Sequence, residues 1–226
     1  MPGKLRAPGG REAGGRAGGG GLLMRLLGSD LACFRGGRQV FSGLSFSIAA
    51  GQALVVLGPN GVGKSSLLRL LAGLVPRAGG LLSLEGGDAE LTIAEQAHYL
   101  GHQDALKPSL TVAENLTFWA RYLGGQAGGE GIETALASVG LDGIAHLPAA
   151  YLSAGQRRRL SIARLIAIKR PIWLLDEPTS ALDTTAQAHL AGFMAEHLAG
   201  GGLIVAAAHG PIGLQAAQEM RLGGPP

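Results

Sequence analysis

The chain has 226 residues, of which 46% are apolar, 15% charged and only 4% aromatic; that excludes global disorder and implies one domain with a core of Leu, Ala, Val and Ile. Cys33 is the single cysteine, so an intramolecular disulfide is excluded, and no clustered Cys and His at metal-ligand spacing support a zinc module. The formal charge of +3 resides in residues 1–21, where Lys4, Arg6, Arg11 and Arg16 oppose Glu12, and the neutral remainder argues against a broad phosphate-backbone footprint.

Residues 1–21 contain nine glycines and almost no large apolar groups, too little to offset the entropy of ordering, and are expected to be disordered. They lack the apolar stretch of a secretory signal, and the internal Met24 is a candidate natural start. Between Leu22 and Ile48, short β-like runs are broken by turn signals such as Gly36-Gly37. Leu44, Phe46 and Ile48 alternate with serines, which predicts antiparallel strands with one wet face.

Ala53 to Leu57 is a continuous apolar run, the pattern of a strand buried on both faces. A glycine-rich turn and a helical stretch from Lys64 to Leu74 follow. Further buried strands are predicted at Ile172 to Leu175 and Leu203 to Ala208, each after a helical stretch, which implies a parallel α/β sheet. Between them, Ala113 to Leu123, Ile132 to Val139 and Ala154 to Ile168 read as helices without intervening strands, a helical subdomain over about 104–168 inserted into the α/β core. No apolar stretch approaches the ~20 residues needed to cross a bilayer.

Gly58-Pro59-Asn60-Gly61-Val62-Gly63-Lys64-Ser65 matches G-x-x-x-x-G-K-[ST], placed after a strand and opening a helix. Such glycines let backbone N–H groups curl around phosphate oxygens. The lysine reaches the β- and γ-phosphates and the serine can ligate Mg²⁺. Ile172 to Glu177 ends a buried strand in two carboxylates, Asp176 to hold Mg²⁺ and Glu177 to polarise the water that attacks the γ-phosphate.

Leu152-Ser153-Ala154-Gly155-Gln156 precedes a helix and offers a hydroxyl, a flexible glycine and a helix N-terminus. By physics alone it is either an anion site or a plain helix cap. These residues resemble the LSGGQ signature of the ATP-binding-cassette (ABC) ATPases, with Ala154 in place of the first central glycine. The resemblance covers about Leu22 to His209 and implies a P-loop NTPase core with an antiparallel β edge.

It also implies further roles. Gln103 resembles the Q-loop glutamine that touches the metal or the attacking water, Ser180 to Asp183 the D-loop, and His209 the switch histidine at the γ-phosphate. Phe34 is a candidate for the aromatic on adenine, with Arg35 as its competitor. Nucleotide would be held by Gly58 to Ser66. Ser153, Ala154, Gly155 and Gln156 would act in trans across a head-to-tail dimer with a second copy, and separate membrane-spanning subunits would dock near Asp104 to Val112.

Phe41 to Phe46, Leu100 to Gln103, Leu110 to Leu116 and the alanine-bearing signature are similar to the ATPase subunits of cytochrome c maturation systems. That finer resemblance implies a peripheral protein on the cytoplasmic face of the inner membrane, with haem handled by partners. Haem export and release of a haem-loaded chaperone both stay open, as does another ABC transporter. A soluble ABC ATPase acting on nucleic acid is a third reading.

The other histidines, His98, His102, His146, His189 and His197, read as surface or core residues. Arg157-Arg158-Arg159 reads as a solvated helix face rather than a nucleic-acid patch. Trp119 and Tyr122, at helical spacing with Leu116 and Leu123, read as packing.

Overall fold

The computed structural model describes residues 23–124 and 129–223; residues 1–21, expected to be disordered, lie outside that range. Two long antiparallel strands come first, β1 (Arg25–Arg35) and β2 (Arg38–Ala49), joined at the Gly36-Gly37 turn. On β2, Ile48 is buried and Leu44 and Phe46 half-buried, while Ser45 and Ser47 are exposed, as the alternation requires. The sequence of β4 (Gly79–Glu85) drew no strand prediction, yet it pairs antiparallel with the other edge of β1 and completes a three-stranded sheet.

The second sheet has five strands in the order β5 (Ala97–Leu100), β6 (Ile172–Asp176), β7 (Leu203–Ala207), β3 (Ala53–Leu57) and β8 (Gln218–Arg221), and each adjacent pair is parallel. Alternate residues of its central strands enter opposite cores. Leu54, Val56, Leu174 and Val205 pack with Leu67 and Leu71 of α1 (Lys64–Leu71) and with Leu26 of the antiparallel sheet. Ala53, Val55, Leu175 and Ala206 face the remaining helices. Both faces are covered, which is why these runs are apolar throughout.

Helix α1 ends at Leu71, short of Leu74, because Gly73 adopts a left-handed φ of 70° and turns the chain out. Among the described residues from Val112 to Ala167 the regular elements are helical: α2 (Val112–Tyr122), α3 (Gly129–Ser138), two short 3-10 turns and α4 (Ala154–Ala167). A capping box at Thr111 and Glu114 starts α2, and a second at Ser153 and Gln156 starts α4. Asp183 caps α5 (Thr184–Ala199) by accepting from the Ala186 N–H.

Two packing expectations are corrected by the structure. Tyr122 is 71% exposed and stacks on the exposed Phe118, so it does not pack inward; Trp119 alone is anchored, donating its Nε1–H to the Ala105 carbonyl. The three arginines of α4 do not form a solvated face either. Arg157 donates to the Leu152 carbonyl, Arg159 to those of Val139 and Gly140, and Arg158 is buried.

Candidate functional site

The site gathers at the C-terminal end of the parallel sheet, where β3, β6 and β7 each deliver a loop. After Leu57 the chain enters Gly58 at φ 145° and reaches α1 through Gly63 at φ 114°. A Cβ on Gly58 would lie 2.6 Å from the Leu222 carbonyl oxygen, so conformation and space both demand glycine there. Lys64, only 6% exposed, folds back and donates from Nζ to the carbonyls of Gly58 at 2.7 Å and Pro59 at 3.3 Å. The ammonium is therefore held over the loop, facing the space that the loop encloses.

Asp176 is the last residue of β6 and is buried. Ser65 Oγ donates to its Oδ1 at 3.0 Å, and the Tyr99 hydroxyl reaches Oδ2 at 3.5 Å. Tyr99 in turn accepts from Arg69 Nε at 3.3 Å, and burial raises its phenol above the ordinary range against the pull of that bond. Glu177 follows at φ 49°, a conformation that a non-glycine residue holds only where its surroundings over-determine it. Its Oε1 lies 3.2 Å from His209 Nε2, and the same nitrogen lies 3.4 Å from Lys64 Nζ.

Lys64 and Ser65 line one cleft of about 470 Å³ with Asn60, Gly61, Gly63 and Ser66 on the loop side and Asp176, Glu177, Ser180 and His209 on the other. The arrangement sets a glycine-rich loop and an ammonium against paired carboxylates. It can bind a phosphate chain at one wall and activate water at the other. Ser65 and Asp176 present hard oxygen donors side by side, a donor set that fits Mg²⁺.

The other expected site residues lie elsewhere. Gln103 is exposed, and its neighbour His102 forms the cleft wall. Phe34, 48% exposed at the end of β1, lines a separate shallow concavity with Arg35, Arg69 and Val75. Ser153 Oγ accepts from the Gln156 N–H while Gln156 Oε1 accepts from the Ser153 N–H, so within this chain the signature acts as a helix cap. Gly155 approaches the loop after Glu177 closely, and a Cβ there would lie 3.0 Å from the Ala181 carbonyl oxygen.

Tyr99 and Arg158 were missed in the sequence. A tyrosine inside a short buried strand was the available signal for the first. For the second it was position: Arg158 shares a helical stripe with Ile162 and Leu165, both buried.

Comparison with known proteins places this geometry in a family. The ABC transporter family model matches residues 41–180. A cytochrome c biogenesis ATP-binding export protein CcmA from Nitrobacter winogradskyi is 67% identical over 201 residues, 89% of this chain and 99% of that protein. The protein of the same name from Rhodopseudomonas palustris is 65% identical over 201 residues, with the same coverage. Among solved structures, an ATP-binding subunit of an ABC transporter superposes with a TM-score of 0.72 at 25% identity, covering 81% of this chain and 79% of that one. With Lys64 of the glycine-rich loop, the strand-end carboxylates and His209 gathered in one cleft, the chain belongs to the ABC transporter ATPases, in the family of the CcmA cytochrome c biogenesis ATP-binding export proteins.

Proposed function

We propose that this ABC ATPase is the subunit that couples ATP binding and hydrolysis to haem export, or to release of a haem-loaded chaperone, in cytochrome c maturation. The observation that carries the chemistry is the convergence of Lys64, Ser65, Asp176, Glu177 and His209 on a single cleft. Kinship with the CcmA proteins over 99% of their length supports the pathway.

In this reading Gly58 to Ser66 wrap the phosphates of ATP and Lys64 turns from the loop carbonyls to the β- and γ-phosphates. Ser65, Asp176 and Gln103 would hold Mg²⁺, which when bound neutralises charge on the β- and γ-phosphates. Glu177 accepts a proton from the water that attacks the γ-phosphorus, and the bond to ADP breaks as that to water forms. His209 contacts the γ-phosphate and orients the Glu177 carboxylate. Phe34, or Arg35 beside it, would cover the adenine.

Ser153 to Gln156 complete the site of a second copy in a head-to-tail dimer, and Ser180 and Asp183 belong to the loop between the two sites. No helix among the described residues is long and apolar enough to cross a membrane. Membrane-spanning partner subunits would carry the haem, with this chain peripheral on the cytoplasmic face of the inner membrane and no direct role for nucleic acid.

The test is haem staining of denatured membrane proteins from cells carrying Glu177→Gln, with non-covalent b-type haem as the internal control. Loss of covalent cytochrome c haem with b-type haem preserved is expected. Intact covalent haem would assign the chain to another transporter.

A further inference from the structure

Arg158 sits one turn into α4, with its side chain 3% exposed. A guanidinium has five N–H donors in a planar fork, and each is used here. Nε donates to the Pro178 carbonyl at 3.3 Å; one terminal nitrogen donates to the Gly101 carbonyl at 2.7 Å and to Asp104 Oδ1 at 3.4 Å; the other donates to the carbonyls of Asp176 at 2.9 Å and Glu177 at 2.7 Å. Burial lowers the pKa of the group below its ordinary value, and Asp104 is the first of the charges that oppose the shift.

The acceptors fall in two places. Asp176, Glu177 and Pro178 are the turn that holds the Glu177 carboxylate, and Glu177 lies there at φ 49°. Gly101 and Asp104 are the two ends of the loop that carries His102 and Gln103. Ser161, three positions along the same helix, donates to the Asp104 carbonyl at 2.8 Å, so α4 grips Asp104 by side chain and backbone. The helix that begins at Ser153 is thereby bolted to both loops through one buried cation.

We propose that Arg158 is a positioning residue that holds the Glu177 turn in its hydrolytic geometry and locks it to the loop of Gln103, so that a displacement of either loop, or of α4, displaces the other. This rests on Glu177 being the base of the proposed ATPase. Arg158 does not reach the cleft itself. A lysine, with three donors on a point charge, is able to hold the turn or the loop but not both.

The test uses the complex recovered from solubilised membranes by a tag on the full chain, comparing wild type, Arg158→Gln, Arg158→Lys, Asp104→Ala and Glu177→Gln for ATP hydrolysis against ATP concentration. Arg158→Gln is expected to lower kcat by about tenfold or more with KM for ATP within about threefold, because a misaimed base costs turnover and not binding. Arg158→Lys should fall between it and wild type. Asp104→Ala, which removes one of the five bonds, should lower kcat by about two- to fivefold at constant KM.

Wild-type kcat in Arg158→Gln, or a rise in KM that accounts for the whole loss, overturns the proposal. If Arg158→Gln fails to assemble, wild-type kcat in Asp104→Ala overturns it. Hydrolysis in Glu177→Gln equal to wild type removes the base itself, and the positioning role with it.

Discussion

Glu177 Oε1 and His209 Nε2 lie 3.2 Å apart, joined across the sheet by the neighbouring ends of β6 and β7. The histidine also stands 3.4 Å from Lys64 Nζ, so one imidazole spans the two walls of the cleft. Glu177→Gln should bind ATP with wild-type affinity and reduce hydrolysis by about 10²-fold or more, the usual contribution of a general base. His209→Ala should lose turnover too, by a larger factor than it loses ATP affinity. Equal single-turnover rates in wild type and Glu177→Gln would defeat the base assignment, and equal rates in wild type and His209→Ala that of the histidine.

Lys64→Ala should weaken ATP binding by about ten- to a hundredfold, the value of one charge-assisted hydrogen bond. Its present acceptors are the loop carbonyls of Gly58 and Pro59, and these can turn to water. Titration with a fluorescent ATP analogue, beside circular dichroism to confirm the fold, checks this; unchanged affinity would remove Lys64 from the phosphate site.

At Gly155 two effects oppose one another. Alanine favours a helix by about 1 kcal/mol over glycine, while its Cβ would press on the Ala181 carbonyl at 3.0 Å. Ala181 is already at φ 62°. Gly155→Ala should therefore keep its melting temperature within a few degrees yet lower ATP hydrolysis severalfold. Full activity at wild-type stability would show that the contact has no bearing on turnover.

His98 gives the fold an acid-sensitive point. It is 3% exposed, its Nε2 lies 2.7 Å from the Ile168 carbonyl, and burial lowers its pKa from 6.5 to about 3. The unfolded chain binds the proton more readily than the folded one in that window. The stabilising contribution is thus complete above pH 6.5 and is lost as pH falls toward 3, at no more than about 1.4 kcal/mol per pH unit. Burial shifts His197 the same way. His98→Gln retains a donor for Ile168 and should flatten the decline in urea stability between pH 7 and pH 5; parallel declines in both proteins would exclude His98 as a cause.

Thr111 and Glu114 form a reciprocal cap at the start of α2. Thr111→Ala should cost about 1 kcal/mol of stability and leave ATP affinity unchanged, since this cap lies outside the cleft. Chemical denaturation beside nucleotide titration separates the two effects.

Much of the cleft was legible because its parts are local. Ala53 to Ser65 carries its own strand, turn and helix start. Asp176 and Glu177 stand where an apolar run ends, and such runs at Ala53, Ile172 and Leu203 announced strands covered on both faces. Arg157 to Arg159 misled because a charge run ordinarily marks a wet face, and nothing nearby in sequence announces the carbonyls that take Arg158 inside.

By itself the sequence determined the glycine-rich turn between strand and helix, the strand-end carboxylates, the parallel core and the helical insertion, since spacing and periodicity are properties of contiguous residues. Only the tertiary structure decided that Gln218–Arg221, with no apolar alternation, becomes a strand on the free edge of β3. It alone decided that Gly79–Glu85 closes the antiparallel sheet, that Tyr99 reaches Asp176, and that Arg158 joins two loops. In each case the partners are far apart in the chain, and the bond exists only because folding brings them within hydrogen-bonding distance.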